Sequence, residues 1–178
     1  MTHPPKSKKH IILIGMPACG KSTVGVLAAK NLGYRFVDSD LVIQERDGRR
    51  LHRIIEEEGQ DGFLAIEEAV NLTLGYDDLP TVIATGGSAV YSPAAMAHFR
   101  SVGVVVYLRL SYDTVKRRLG NFTHRGVVMP EGYTLRDLYD ERTALYEAYA
   151  DVIIDEAQFG RIGDVLHALC SHFDGEPT

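Results

Sequence analysis

A glycine-rich stretch has the residue types and the spacing of a phosphate-binding loop. Gly15 and Gly20 flank four residues and are followed directly by Lys21 and Ser22. Glycines let the backbone wrap around an anion with several N–H groups pointing inward, and such a lysine reaches the β- and γ-phosphates of a nucleoside triphosphate. The serine hydroxyl is a ligand for Mg²⁺. We therefore predict binding of ATP and Mg²⁺ by the set Gly15, Ala18, Cys19, Gly20, Lys21, Ser22 and Thr23.

The residues around this loop give it the context that the motif requires. A short β-branched run, 11–14, precedes it, and an amphipathic segment, 21–32, follows it and ends before Gly33. A strand, a loop and a helix in this order make an accidental glycine-rich turn a poor explanation.

Cys19 occupies a position inside the phosphate loop. It is either a small side chain that fits the loop or a redox-sensitive thiol.

Two aspartates follow the second predicted strand at a spacing suited to phosphoryl transfer. Asp38 and Asp40 leave the sheet at its carboxyl edge, where ligands of open α/β sheets bind. Asp38 is expected to hold the Mg²⁺ shell, and Asp40 to orient an acceptor hydroxyl and accept its proton. The alternative is that both aspartates only cap a helix.

Apolar segments rich in β-branched residues alternate with helical stretches along the chain. Strands are predicted at 11–14, 35–37, 81–84, 104–108 and 152–154, and several are continuous Val/Ile runs typical of strands buried on both faces. Helices are predicted at 21–32, in segments of 41–74 broken near Gly48, Gly59 and Gly62, from a Ser111 cap through 119, at 135–150 and at 161–173. The alternation predicts an α/β fold with helices on both faces of a parallel sheet.

Length and charge exclude several classes of protein. The 178 residues are predicted to form one domain, with a flexible tail at 1–9 and a lid loop at about 120–133. The net charge of −5 disfavours a nucleic-acid partner, and no apolar run approaches the ~20 residues that span a bilayer. The two cysteines make no disulfide framework, so a cytoplasmic protein is expected.

The order of further motifs identifies a family. No Asn-Lys-x-Asp guanine-reading segment is present, which disfavours a GTPase. Over nearly its whole length the chain resembles the shikimate kinases, in the phosphate loop and in five stretches: Phe36-Val37-Asp38-Ser39-Asp40, Gly59-Gln60-Asp61-Gly62-Phe63 with Glu67-Glu68, Ala84-Thr85-Gly86-Gly87-Ser88-Ala89-Val90, Arg125, and Glu141-Arg142-Thr143-Ala144-Leu145-Tyr146. The resemblance implies a three-layer α/β/α P-loop fold with a five-stranded parallel sheet of order 2-3-1-4-5.

The resemblance also implies roles for residues outside the phosphate loop. Gly86, Gly87 and Ser88 would contact the acceptor. Because Gly86 and Gly87 follow a strand and allow a close backbone approach, an N–H of this pair would also point at the γ-phosphate, with a plain tight turn as the alternative. Arg125 on the lid would close over the phosphates, unless it is an ordinary solvated arginine. Arg118 corresponds to a position that stacks on adenine. The resemblance further implies a monomer.

The acceptor pocket departs from the family pattern while the phosphoryl-transfer residues are kept. The arginine that grips the shikimate carboxylate is Leu64 here, and the third glycine of the triplet is Ser88. Losing one partner of a buried charge pair costs about 2–5 kcal/mol, roughly 30- to several-thousand-fold in affinity. Arg53 is a conceivable substitute. Arg142 remains and is expected to pair with an acceptor carboxylate, a surface salt bridge to Asp140 or Glu141 being the alternative.

These departures leave the identity of the acceptor open. Shikimate follows from the family resemblance, whereas Leu64 favours a differently shaped acid such as homoserine, whose ammonium group would meet Glu67, Glu68 or Asp61. A non-catalytic nucleotide-binding regulator would not need Lys21 and both aspartates. A nucleic-acid-associated P-loop protein would need a basic face that the net charge does not provide.

Overall fold

The computed structural model describes residues 10–120, 127–159 and 161–173, which form a five-stranded parallel sheet between helices. The strands are β1 (His10–Ile14), β2 (Arg35–Asp38), β3 (Thr81–Ala84), β4 (Gly103–Arg109) and β5 (Val152–Asp155). Their spatial order is β2-β3-β1-β4-β5, and every neighbouring pair is parallel. The predicted fold class and strand order are confirmed.

Seven α-helices and two short 3-10 turns connect the strands in the described part of the chain. The helices are α1 (Lys21–Leu32), α2 (Ser39–Asp47), α3 (Leu51–Asn71), α4 (Pro93–Val102), α5 (Tyr112–Leu119), α6 (Leu135–Tyr149) and α7 (Ile162–Ser171). The 3-10 turns are Ala89–Tyr91 and Glu156–Gln158.

The central strands are buried on both faces, as their apolar composition predicts. Every residue of β1 and β3 is buried, because helices cover both faces of the central part of the sheet. Leu13 of β1 lies opposite Ala84 of β3 and Val106 of β4. This register brings the loops that follow these strands to one edge of the sheet.

The helices agree with the predicted segments except in two places. Helix α4 is not among the predicted elements, although Ser92 caps it and Pro93 occupies its first turn. Gly59 interrupts α3 with a φ of 71°, whereas Gly62 stays helical, so the predicted break at Gly62 is wrong. Within the described residues no helix is long and apolar enough to cross a membrane.

Candidate active site

The phosphate loop (residues 15–22) has the backbone that an anion site needs. Gly15, Ala18 and Gly20 have φ values of 147°, 63° and 90°, and a Cβ at Gly15 would lie 2.8 Å from the Leu108 carbonyl oxygen. Gly20 begins α1 and places no side chain over the first N–H groups of the helix. The loop therefore leaves these donors available to phosphate oxygens.

Lys21 lies inside this loop and is held by it. Its Nζ donates to the carbonyl oxygens of Gly15 (2.8 Å) and Met16 (3.0 Å) and lies 3.6 Å from Cys19 Sγ. These contacts preorganise the ammonium group beside the position of the phosphates. Cys19 itself is only 3% exposed, which leaves its predicted redox role with little access to an oxidant.

The two residues predicted to hold Mg²⁺ contact each other directly. The Ser22 hydroxyl donates to Asp38 Oδ2 at 2.6 Å. Asp38 Oδ1 accepts from the backbone N–H groups of Asp40 (3.0 Å) and Leu41 (3.4 Å), so Asp38 also caps α2. No group of three or more His, Cys, Asp or Glu side chains in the described part of the chain could hold a metal. A Ser–Asp pair beside a phosphate loop fits Mg²⁺ that is held mainly by phosphates and water.

A buried carboxylate, Glu67, and a half-buried one, Asp40, both approach Gly86 closely. A Cβ at Gly86 would collide with Glu67 Oε1 and would lie 2.8 Å from Asp40 Oδ1. Burial, reinforced by the charge of Asp38 and opposed by Lys21, raises the pKa of Asp40 to about 6. Gly86 is required here by this close approach, since any side chain would displace the carboxylates.

Glu67 is the less exposed of the two carboxylates, at 1%. The pKa of Glu67 is raised to about 7, mainly by burial and further by the charge of Asp40. A hydrogen bond from the Ser88 hydroxyl and the charges of Arg142 and Lys21 oppose this rise. Glu67 Oε1 has no hydrogen-bond partner among the described residues.

The buried guanidinium of Arg142 lies against Gly87. Its side chain is 1% exposed, and Nη1 would lie 3.0 Å from a Cβ at Gly87. Nη2 donates to the Val128 carbonyl (2.6 Å), Nε donates to the Tyr91 hydroxyl (3.3 Å), and the guanidinium lies over the Tyr91 ring. Asp140 pairs with Arg136 and Glu141 accepts from Tyr133, so the predicted alternative of a surface salt bridge for Arg142 is wrong.

A separate cavity of about 380 Å³ adjoins the carboxyl side of the phosphate loop. Cys19, Thr23 and Arg118 line it together with Phe159 and Ile162. The Arg118 guanidinium is held by Glu156 at 2.8 Å. This position suits the predicted contact of Arg118 with the nucleotide base. Arg125 and the rest of residues 121–126 of the predicted lid, like the predicted tail at 1–9, lie outside the described residues.

Comparisons with known proteins agree on one family. A family model for shikimate kinase matches residues 17–168. A shikimate kinase of Thiobacillus denitrificans is 38% identical, over 96% of this chain and 95% of that protein. A shikimate kinase of Halorhodospira halophila is also 38% identical, over 97% of this chain and 98% of that protein. The chain belongs to the shikimate kinase family.

Solved structures give the same answer. The shikimate kinase from Acinetobacter baumannii in complex with shikimate has a TM-score of 0.84 and 29% identity, over 97% of both chains. That from Aquifex aeolicus has a TM-score of 0.79 and 26% identity, over 93% of this chain and 96% of the other. This member of the shikimate kinase family is thus a P-loop small-molecule kinase.

Residue 64 distinguishes this member from the family pattern. Leu64 is half-buried and packs against the small apolar cluster around Phe63, Val70 and Val128. Arg53 is 63% exposed and pairs with Glu56, so it does not take the place of the missing arginine. Among the described residues, Arg142 is the guanidinium that lies against Gly87 of the predicted acceptor segment.

Supporting contacts of the site could not be read from motifs. The Tyr146 hydroxyl donates to the Gly87 carbonyl at 2.6 Å, and the Gly86 N–H donates to the Ser39 hydroxyl at 3.1 Å. The predicted use of a glycine N–H for the γ-phosphate thus does not apply to Gly86 in this state. Tyr146 belongs to the Arg-x-x-Leu-Tyr segment, which was its only signal in the sequence.

Glu67→Gln is expected to stabilise the free protein by an amount that grows with pH. Because the folded-state pKa of Glu67 rises from 4.5 to about 7, the folded protein keeps a proton that the unfolded chain releases, and stability falls as the pH rises through this window. Glutamine cannot ionise, so the gain should be small near pH 4.5 and reach about 2–3 kcal/mol above pH 7. Urea denaturation across this range measures it, with Glu56→Gln, an exposed change on the same helix, as control. A gain independent of pH would contradict the assignment.

Proposed function

We propose that the protein transfers the γ-phosphoryl group of ATP to the hydroxyl of a small acceptor that carries a carboxylate. The observation that carries this proposal is that Asp40 and Arg142 lie against two adjacent glycines, Gly86 and Gly87. Arg142 is a buried guanidinium with no acidic partner within salt-bridge distance in the described ranges, beside Gly87. Asp40 is a half-buried carboxylate beside Gly86. A buried unpaired guanidinium is costly unless a ligand anion meets it.

The neighbouring residues supply the other functions of a kinase. Lys21 and the first N–H groups of α1 would bind the phosphates, and Arg118 would contact the base. Ser22 and Asp38 would hold Mg²⁺, which neutralises phosphate charge when it is bound. Asp40 would accept the hydroxyl proton while the acceptor oxygen bonds to the γ-phosphorus and the bond to the ADP oxygen breaks. Arg125 remains a predicted contact of the transferred group.

Two acceptors of this class are candidates. Shikimate is supported by the names of the similar kinases and by the shikimate complex of the Acinetobacter baumannii protein. Homoserine is favoured by one observation, the apolar Leu64 where the family pattern has a carboxylate-gripping arginine, with Arg53 turned away. Both acceptors carry the hydroxyl and the carboxylate that Asp40 and Arg142 would bind.

The substitution Leu64→Arg tests which acceptor the pocket suits. The half-buried position 64 borders an open cavity, so an arginine has space and would add a second guanidinium for the shikimate carboxylate. We expect kcat/KM for shikimate to rise about 30-fold or more, and kcat/KM for homoserine to fall. A coupled ADP-release assay with both acceptors measures the change, and Leu64→Met controls for altered packing. If the unmodified protein already uses shikimate efficiently and arginine brings no gain, the argument from Leu64 is wrong and shikimate is the acceptor.

A further inference from the structure

A second cavity lies behind the acceptor residues. It has a volume of about 260 Å³ and opens between α3 and the 3-10 turn Ala89–Tyr91. We call it the side cavity; it is lined by Leu64, Ala65, Glu67, Glu68, Asn71, Ser88, Ala89, Tyr91 and Ser92. Ser88 also lines the cavity of about 280 Å³ that contains Lys21 and Asp40. The side cavity is therefore adjacent to the acceptor pocket.

Two residues that line the side cavity have buried polar atoms without a hydrogen-bond partner in the described part of the chain. Asn71 is 0% exposed, and neither its Oδ1 nor its Nδ2 forms a hydrogen bond with a described residue. Glu67 Oε1 is also without a partner. Native proteins rarely leave such atoms unsatisfied, so a group bound beside them would supply the missing partners.

The charged residue types that line the side cavity are all acidic. Two carboxylates, Glu67 and Glu68, line it, and none of its lining residues is Lys, Arg or His. Glu68 Oε2 accepts from the Ser92 hydroxyl at 2.5 Å and is thereby satisfied. Asp61, the third carboxylate that the sequence suggested, is exposed on α3 and does not line the cavity. The open acceptor atoms are therefore Glu67 Oε1 and Asn71 Oδ1.

We propose that the side cavity binds a primary ammonium group of the acceptor, with Glu67 as its counter-ion and Asn71 Oδ1 as a further hydrogen-bond acceptor. An ammonium group has three donors and a full positive charge, which matches these two oxygens. The alkyl walls from Leu64, Ala65 and Ala89 suit the carbon chain of an organic cation better than a bare metal ion.

This ammonium site rests on the proposed function and narrows the class of acceptor. Glu67 approaches Gly86 and Arg142 approaches Gly87, and both glycines line the cavity that contains Lys21 and Asp40, so an ammonium group and a carboxylate would bind at adjacent backbone positions. Asp40, also at Gly86, would bind the hydroxyl. A small hydroxy amino acid carries all three groups.

A matched pair of acceptors tests the ammonium site. L-Homoserine and 4-hydroxybutyrate share the chain, the carboxylate and the hydroxyl and differ in the amino group. In the unmodified protein we expect kcat/KM for homoserine to exceed that for 4-hydroxybutyrate about 100-fold. Glu67→Gln should lower the homoserine value about 100-fold and change the 4-hydroxybutyrate value less than about threefold. Leu64→Arg, which adds a competing cation beside Glu67, should also weaken homoserine selectively, and Glu56→Gln serves as control.

The outcomes separate this inference from the proposed function. Equal use of both acceptors, or equal losses for both in Glu67→Gln, overturns the ammonium site. Phosphorylation of shikimate alone also overturns it and leaves the proposed function intact. If no acceptor is phosphorylated, the proposed function fails, and calorimetry then decides the ammonium site. Homoserine binding that is lost in Glu67→Gln would support the site, and no binding to the unmodified protein would overturn it.

Discussion

Replacing Lys21 with alanine is expected to lower the rate of phosphoryl transfer about a thousandfold. The ammonium group is held inside the phosphate loop by the carbonyls of Gly15 and Met16, so its charge would act without reorganisation as charge develops on the transferred group. Removing one such preorganised stabiliser costs about 10²–10³ in turnover, and the loss of phosphate affinity adds to this. ADP release with excess acceptor measures the effect.

The Lys21→Ala variant needs a control for folding, because Lys21 is also part of the loop structure. Alanine leaves the Gly15 and Met16 carbonyls without their donor, which could loosen the phosphate loop. Lys30→Ala removes an exposed lysine from the same helix and should leave activity unchanged. Thermal unfolding of both variants shows whether α1 survives. Substantial phosphoryl transfer by a folded Lys21→Ala protein would contradict the proposed kinase mechanism.

Asp40→Asn is expected to lower kcat about 10²–10⁴-fold with little change in ATP affinity. The amide has nearly the same shape but cannot accept the acceptor's proton, and general-base catalysis contributes about this much. The free protein should not lose stability, because the replaced carboxylate is partly withdrawn from water and its pKa is raised by that desolvation. The signature is therefore a slow enzyme that is well folded and still binds nucleotide.

A matched substitution separates this role from a general effect of helix charge. Asp113 lies in the first turn of α5 as Asp40 lies in the first turn of α2, but Asp113 is exposed. Asp113→Asn should therefore retain full turnover. Rate measurements under saturating ATP, with calorimetry for nucleotide affinity, give both parameters for each variant. Losses of similar size in turnover and in ATP affinity for Asp40→Asn would remove the role assigned to Asp40.

Local sequence determined the sheet and the phosphate loop of this protein. The strands were predictable because parallel strands buried on both faces need continuous apolar runs, and β1 and β3 are such strands. Helix α1 begins at Lys21 and ends at Leu32 as predicted, since the loop glycine and Gly33 mark its two ends. The Gly15–Ser22 spacing placed the phosphate site because every residue of that motif acts within one continuous segment.

Only the tertiary structure decided which distant side chains meet in the acceptor pocket. The sequence showed that Leu64 replaces an expected arginine, but it did not show which other side chains lie around this position. Packing turns Arg53 to solvent and buries Arg142 against Tyr91. It also leaves Glu67 Oε1 and the Asn71 amide, in two residues that line a cavity, without hydrogen-bond partners among the described residues. These arrangements depend on contacts between α3, α6 and the turn after β3, which are far apart along the chain. No periodicity or short motif specifies such contacts, because burial and charge pairing arise only when the helices pack on the sheet.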